Sequence, residues 1–318
     1  MPEHTLKYRL MKQAAKIKGL KKNLSRTAAE LREKYRPAAY TIGFPDRARS
    51  HSLEFERRFE HGFITGRLTR RNAVKAVLFI PGGGMLKFPD VSEYKQFEEI
   101  ALKTDRDVVI PYYPLCVDHS MNEAVEMIYD VYRQMTLEYG AGNVAVAGYS
   151  SGGTLALALI SHINAMAENV PMPDKLYVSS PMMCIHSQQE REHAERLDKS
   201  DFIVPVKWLD TFRELITNGR TLPDYMAYPQ LGDYSGLTNA YVCFADSEVL
   251  YAMCGSLVSQ MESAGADVTL EVGRGMYHCY PVTNKVSEAY LGHFNMMDYL
   301  RVSAFELVEC IKQRFGGE

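Results

Sequence analysis

One serine lies between two glycines in a setting that suits covalent chemistry. Gly148, Ser150 and Gly152 form the pattern G-x-S-x-G, which ends the apolar stretch 143–149 and precedes a helical pattern that begins at Ser151. A serine on such a tight turn has a strained backbone, and the two glycines let the strand and the helix approach each other. The N–H groups at the start of the helix favour negative charge on a reacting oxygen. The pattern predicts that Ser150 is a nucleophile, against the alternative of a plain glycine-rich turn.

A run of three glycines follows an earlier apolar stretch. The run 82–84 comes directly after Pro81 and the strand-like residues 76–80. Consecutive glycines cost conformational entropy, and close approach of bare backbone to a ligand is the usual reason for them. The run lacks the Gly-Lys-Ser/Thr that follows in a phosphate-binding loop. We therefore expect this loop to donate backbone N–H groups to a reacting oxygen, with a simple turn as the alternative.

A histidine and two carboxylates lie further along the chain. His278 closely follows the strand-like stretch 268–272, where a loop can return an imidazole to Ser150. Such a base takes the serine proton, and a carboxylate orients the imidazole and stabilises its charged form. Asp246 and Glu248 both follow the strand-like stretch 240–245. Strand alternation places the two carboxylates on one face, so spacing alone leaves the choice of acid open.

Taken together, these segments resemble the hormone-sensitive-lipase-like branch of the α/β-hydrolase family, from about residue 67 to the carboxyl terminus. The resemblance implies that Ser150 is the nucleophile and His278 the base. Alignment on Leu250 of the family's acid motif selects Glu248, and Asp246 stays the alternative. The matching segments are PGGG at 81–84, GYSSGG at 148–153, EVL at 248–250 and GMYH at 275–278.

The resemblance also implies an oxyanion hole and shows where this chain departs from the family. Backbone N–H donors are implied at Gly82, Gly83 and Ser151. Pro81, Tyr149 and Ser151 stand where the family has histidine, aspartate and alanine. Pro81 has no N–H to donate and no polar side chain, so support for the loop must come from elsewhere. We expect Tyr149 to reshape the wall of the pocket.

The elements that must position these residues alternate along the chain. The pattern predicts an outer hairpin over 51–67, followed by strands at 76–80, 108–113, 143–149, 175–181, 240–245 and 268–272. Helical patterns lie between them at 92–103, 122–139, 151–167 and 255–264, with a final one at 294–314. Apolar strands that alternate with helices belong in a parallel sheet covered on both faces. The predicted fold is the α/β-hydrolase fold, a mostly parallel sheet of about eight strands with a helical cap.

Two segments are expected to form that cap. Residues 1–45 hold an amphipathic, basic helix or two over 6–35, and residues 46–318 form the catalytic domain. A basic amphipathic helix either lies on an anionic membrane or packs its apolar stripe on its own domain; we expect the second. Residues 185–237 lack a good strand and are interpreted as an inserted lid. Its aromatic residues Trp208, Tyr225, Tyr228 and Tyr234 either wall the pocket or belong to the core.

Composition narrows the class of protein. The chain has 318 residues, is 46% hydrophobic and carries a net charge of −3, so it suits a globular fold and gives no long-range attraction for nucleic acid. The six cysteines lack metal-ligand spacing and are expected to be free thiols. Since no apolar run is long enough to span a bilayer and no secretory signal is evident, we expect a cytoplasmic protein without membrane insertion.

The predicted function is that of a serine carboxylesterase acting on a short-chain, small-molecule ester, acetyl esters included. The proposed chemistry needs no cofactor and no metal ion. A peptidase of the same fold is one alternative, and a catalytically silent protein that binds a small ligand is another. The oligomeric state is left open, with a homodimer among the options.

Overall fold

The computed structural model describes residues 4–39, 41, 43–60, 62–91 and 93–306, and at its centre is one eight-stranded sheet. The spatial order of the strands is β1-β2-β4-β3-β5-β6-β7-β8. The hairpin β1–β2 is antiparallel and joins β4 antiparallel, while all the remaining pairs are parallel. The strands are β1 Leu53–Glu60, β2 Phe63–Arg70, β3 Ala76–Ile80, β4 Asp107–Tyr112, β5 Val144–Tyr149, β6 Leu176–Ser179, β7 Asn239–Ala245 and β8 Asp267–Gly273.

The central strands are apolar because both of their faces are covered. Every residue of β3, β4, β5 and β6 is buried, whereas β8 at the sheet edge is largely accessible. The parallel strands β3 and β5 pair directly, with Ile80 opposite Gly148. Their carboxyl ends therefore bring the glycine run and Ser150 to the same edge of the sheet.

The amino-terminal segment forms three helices where one or two were predicted. They are α1 Leu6–Ile17, α2 Leu20–Leu24 and α3 Ala28–Tyr35. Gly19 separates α1 from α2 with a φ of 63°, a conformation that glycine adopts without strain. The expectation that the apolar stripe of residues 6–35 packs on the protein holds for Leu24 and Leu31 but is wrong for α1. Its buried face carries Tyr8 and Ala15, while Leu6, Leu10 and Ile17 are exposed.

The next helices flank the sheet close to their predicted positions. They are α4 Tyr94–Thr104, α5 Met121–Tyr139 and α6 Ser151–Met166. A capping box of Ser120 and Glu123 begins α5 by satisfying free N–H groups of its first turn. Every residue of α6 from Ser151 to Ile163 is buried, so this helix has no polar face and packs within the protein.

The predicted lid region holds α7 Gln188–Leu197, α8 Val206–Thr217 and α9 Asp224–Ala227. These helices are inserted between β6 and β7 without an added strand in this described stretch. Four short 3-10 segments complete the series at Arg36–Ala38, Pro229–Leu231, Val249–Met253 and Ser287–Ala289.

The next helices are α10 Cys254–Ser263, α11 Tyr280–Thr283 and α12 Tyr290–Leu300. The final helix was predicted over 294–314, but α12 begins earlier and ends at Leu300, where Arg301 turns to an extended conformation, and residues 304–306 are helical again. Residues 307–314 of that prediction lie outside the described residues. Within the described ranges, no helix combines the length and the apolarity that crossing a bilayer requires. The fold prediction is confirmed, since helices flank a mostly parallel eight-stranded sheet.

Candidate active site

Ser150 occupies a strained turn between β5 and α6. Its φ of 53° and ψ of −130° lie outside the conformations that L-residues usually adopt. The two flanking glycines allow this turn for steric reasons. A Cβ on Gly148 would lie 2.4 Å from the carbonyl oxygen of Gly152, and a Cβ on Gly152 would lie 2.1 Å from that of Ile80. Only glycine fits at either position, so the sequence pattern reports a real packing constraint.

The structure brings the predicted histidine to the predicted serine. Nε2 of His278 lies 2.9 Å from Oγ of Ser150. On the other side of the ring, Nδ1 lies 2.8 Å from Oε2 of Glu248. The three side chains thus form a continuous hydrogen-bonded chain between residues as much as 128 positions apart. This is the arrangement in which an imidazole can move a proton from a hydroxyl while a carboxylate holds the ring.

The two candidate acids have separate places in the structure. Glu248 is 1% exposed and contacts His278. Asp246 instead accepts a hydrogen bond of 2.6 Å from the backbone N–H of Gly275. It therefore fastens the loop that carries the histidine without reaching the imidazole. Of the two carboxylates, Glu248 is the one in contact with the imidazole, a distinction that strand alternation did not allow because the chain leaves the strand at Ala245.

Ser180 is a site residue that the sequence analysis missed. Its hydroxyl donates to Oε1 of Glu248 at 2.7 Å and accepts from the N–H of Cys279 at 3.0 Å. It follows β6 with a φ of 46°, a strained conformation for a serine. The sequence signal that could have identified Ser180 is its position directly after β6, the strand that lies between β5 and β7 in the sheet. Ser180 ties the carboxylate to the residue that follows His278.

The surroundings of His278 change its protonation. Burial disfavours the charged ring, but hydrogen bonds and charge from Cys279 and Glu248 favour it more strongly. The net result is a pKa for His278 well above the usual range of histidine. The carboxylate of Glu248 is the partner that we regard as decisive, since it is buried and directly hydrogen-bonded to the ring. The site therefore stabilises an imidazolium.

The glycine loop lies directly against the serine. A Cβ on Gly82 would lie 2.9 Å from Cβ of Ser150, and a Cβ on Gly83 would lie 2.1 Å from the carbonyl oxygen of Lys87. The φ of 136° at Gly83 is also a conformation that favours glycine. Gly82 thus lies directly beside Ser150, Gly83 lines the same cavity as Ser150, and Ser151 begins α6.

Support for this loop comes from two side chains. The hydroxyl of Tyr113 donates to the carbonyl oxygen of Pro81 at 2.8 Å. The hydroxyl of Ser151 accepts a hydrogen bond of 3.2 Å from the N–H of Met85. Ser151, which replaces the alanine of the related family, therefore adds a side-chain contact that an alanine lacks.

A cavity of about 280 Å³ opens beside Ser150 and His278. The helices of the amino-terminal segment contribute Leu24 and Tyr35, and the predicted lid contributes Trp208. Of the four lid aromatics, Trp208 alone lines this cavity. The hydroxyl of Tyr225 contacts His162 and the ring of Tyr228 packs on His186. The hydroxyl of Tyr234 donates a hydrogen bond to the carbonyl oxygen of Pro229. The other lining residues are Gly83, Gly84, Leu86, Lys87, Tyr149, Met182, Ile203, Val204, Cys279 and Thr283.

Comparisons with known proteins agree with this architecture. An esterase of Mycobacterium tuberculosis, LipU, is 25% identical over 235 residues, which cover 71% of this chain and 77% of that protein. An esterase of Acinetobacter venetianus is 23% identical and covers 67% of this chain and 70% of its own length.

Solved structures show the same fold. An esterase/lipase from an uncultured bacterium superposes with a TM-score of 0.77 at 18% identity, covering 93% of this chain and 98% of that chain. The hormone-sensitive-lipase homologue EstE7 from a metagenome library gives a TM-score of 0.72 at 20% identity, with coverages of 92% and 97%. A family described as alpha/beta hydrolase fold matches residues 77–282 of this chain. This range contains Ser150, Glu248 and His278. The chain therefore belongs to the α/β-hydrolase fold family.

Proposed function

We propose that this protein is a serine carboxylesterase that hydrolyses short-chain acyl esters. The observation that carries the proposal is the hydrogen-bonded chain from Ser150 through His278 to Glu248, with distances of 2.9 and 2.8 Å. The esterases among its relatives support the same reaction class. Nucleophile, base and acid are thus assigned to residues that are already in contact.

The first half of the reaction transfers the acyl group to the enzyme. Oγ of Ser150 attacks the ester carbonyl carbon while Nε2 of His278 takes the hydroxyl proton. The buried carboxylate of Glu248 stabilises the imidazolium that forms. When the tetrahedral intermediate collapses, His278 returns the proton to the departing alcohol. In the second half, water attacks the acyl-enzyme by the same proton transfers and releases the carboxylic acid.

Backbone donors at Gly82, Gly83 and Ser151 stabilise the oxyanion of each intermediate. Gly82 borders Ser150 so closely that no Cβ could be added, and Ser151 begins α6, whose first N–H groups point toward the reacting centre. Fixed donors of this kind stabilise developing charge without reorganising during the reaction.

The size of the cavity supports a small ester as the substrate. Its volume of about 280 Å³ is below the range of roughly 300 to 1,000 Å³ that is typical for pockets of drug-sized ligands. Most of its lining is apolar, which suits an acyl chain or a small alcohol, and an acetyl ester is the smallest case. We also propose that residues 1–45 and 185–237 together act as the cap, since both contribute to the cavity wall.

The test compares Ser150→Ala with Ser259→Ala, a control at an exposed serine of α10. We expect Ser150→Ala to lower kcat for p-nitrophenyl acetate at least roughly a thousandfold and to abolish labelling by a fluorophosphonate, with the control unchanged. Near-normal turnover by Ser150→Ala would remove this serine from the mechanism. Ligand binding without turnover or labelling in the unmodified protein would identify a silent binding protein, and faster cleavage of the matching amide would identify a peptidase.

A further inference from the structure

One exposed side of α1 carries three large apolar residues, with Gln13 beside them. Leu6, Leu10 and Ile17 are 64%, 60% and 80% exposed, respectively. Their spacing of four and seven residues places them on one side of a helix with 3.6 residues per turn. Leu20, at the start of α2, is 40% exposed and extends the row. We call these four residues the apolar stripe.

The stripe faces outward because the opposite side of α1 is fixed to the protein. Tyr8 is buried, and its hydroxyl donates to the carbonyl oxygen of Gly275 at 2.7 Å. Ala15 is buried on the same side. At the start of the helix, the N–H of Thr5 donates to Glu288 at 2.7 Å. The apolar stripe is therefore a fixed feature of the described surface.

The charge around the stripe has one sign. Helical geometry places Lys7 and Lys18 on one flank of the stripe and Arg9 and Lys16 on the other. The whole chain has a net charge of −3, so the rest of the protein is acidic while this segment is basic. Residues 6–26 contain no aspartate or glutamate, and their basic residues are Lys7, Arg9, Lys12, Lys16, Lys18, Lys21, Lys22 and Arg26.

A basic hollow lies beside the same helices. Of its residues, Lys21 is paired with Asp198 at 3.1 Å, and Lys12 lies over the ring of Phe202. The hollow also contains the backbone of Gly19 between α1 and α2. The lysines of the hollow outnumber its two carboxylates, Asp198 and Asp201; they are Lys12, Lys16, Lys21, Lys22 and Lys199. Phosphate groups are the anions that such a cluster of ammonium groups attracts most directly.

We propose that α1 and α2 dock this protein on an anionic lipid surface. The apolar stripe enters the boundary between headgroups and acyl chains, while the flanking lysines bind lipid phosphates. Charge argues against a second copy of this chain as the partner, because two faces that are both strongly basic repel each other. A lipid surface supplies both an apolar layer and the opposite charge.

The amino-terminal helices that carry the docking surface also contribute to the wall of the cavity. Leu24 ends α2 and lines the cavity beside Ser150, and Tyr35 at the end of α3 does so as well. The docked surface therefore lies next to helices that form the cavity wall. Docking itself does not depend on the esterase reaction, so the two proposals can fail separately.

The test measures sedimentation of the full chain with vesicles. We expect binding to phosphatidylcholine vesicles that contain about 30% phosphatidylglycerol, and at least roughly tenfold weaker binding to pure phosphatidylcholine. Binding should weaken in about 0.5 M salt, which screens the lysine charges. The variant Leu6→Gln/Leu10→Gln/Ile17→Gln should bind the anionic vesicles at least roughly tenfold more weakly. Leu137→Gln, at a residue of α5 that is 74% exposed, is the matched control and should bind normally.

Thermal unfolding, which does not depend on the proposed esterase reaction, shows whether each variant is folded, and the unfolding temperature should be unchanged in both. Equal vesicle binding by the triple variant and the unmodified protein would overturn the proposal. So would a dimer in sedimentation equilibrium that the triple variant loses while neither protein binds vesicles, since the stripe would then be an interface between two copies.

Discussion

The hydroxyl of Tyr113 lies 2.8 Å from the carbonyl oxygen of Pro81 and donates a hydrogen bond to it. Tyr113 is 1% exposed and follows β4, one strand away from the glycine loop that it supports. Burial of the ring raises the pKa of Tyr113, so its hydroxyl stays a neutral donor at all working pH values. Tyr113 therefore supports the loop that begins at Pro81, a residue with no polar side chain of its own.

Tyr113→Phe should slow catalysis without abolishing it. The change removes the donor to Pro81, and the loop that carries Gly82 and Gly83 is then less firmly placed. We expect kcat to fall roughly five- to tenfold with little change in KM, because the N–H groups of this loop matter mainly in the transition state, where negative charge develops on the substrate oxygen. Stability should fall by about 1 to 2 kcal/mol, the usual cost of leaving a buried carbonyl unpaired.

Tyr132→Phe is the matched control, because its hydroxyl donates to the carbonyl oxygen of Pro171 at 2.7 Å, far from Ser150 in the fold. Thermal unfolding and esterase kinetics of both variants provide the comparison. A similar loss of stability is expected in each, with kcat lowered only by Tyr113→Phe. Equal kcat values for the two variants would contradict the role given to Tyr113.

Glu248→Gln and Asp246→Asn should separate the two acids. Glutamine cannot stabilise an imidazolium and favours the wrong tautomer of His278, so kcat should fall roughly a thousandfold or more. Asparagine keeps the oxygen that accepts from Gly275, so Asp246→Asn should lower kcat less than about fivefold. Both substitutions preserve side-chain shape. Steady-state kinetics on one ester measures kcat for each variant. A larger loss in Asp246→Asn would show that Asp246 is the acid.

Activity should decline on acidification at a higher pH than for an ordinary histidine. The reaction needs neutral His278, and protonation removes the base; since the pKa of this imidazole is raised, the loss begins at higher pH. An unperturbed histidine would titrate near about pH 6.5, so we expect the midpoint of kcat/KM above that value. Glu248→Gln removes the charge that favours the imidazolium and should move the midpoint of its residual activity downward. A midpoint at or below about pH 6.5 in the unmodified protein would contradict the raised pKa.

Ser180→Ala should weaken the site through the position of Glu248. It removes the donor to the carboxylate and leaves the N–H of Cys279 unpaired. We expect kcat to fall about tenfold and the midpoint of the pH profile to shift, since the charge beside His278 is then held less firmly. Ser161→Ala is the control, because that buried hydroxyl has no hydrogen-bond partner within the described part of the chain. A pH profile that Ser180→Ala leaves unmoved would assign Ser180 a purely structural role.

The site was predictable from sequence where steric constraints are local. Gly148, Ser150 and Gly152 are close in the chain, and the short turn forces their arrangement, so the pattern predicts it directly. Ser180 and Tyr113 follow different strands and meet the site only through the order of strands in the sheet. Their side chains carry no spacing signal, because each acts through a contact between residues that are distant in sequence.

The amino-terminal helices show a second limit of prediction from sequence. Periodicity identified α1 as amphipathic but could not say which face packs on the protein. Tyr8 took the buried side because its ring is apolar while its hydroxyl reaches Gly275. A leucine has no such donor. The expectation of inward packing was therefore wrong for Leu6 and Leu10, because their spacing does not encode the hydrogen bond of Tyr8.

The two ends of the described chain lie at opposite ends of the strands. His4 stacks on Tyr8, whose hydroxyl binds Gly275, three residues before His278. Glu306 instead pairs with Lys75, which precedes β3 and so lies at the amino ends of the strands. A probe attached near Glu306 therefore lies at the amino ends of the strands, away from the imidazole, whereas a probe attached at His4 lies beside the loop that carries the imidazole.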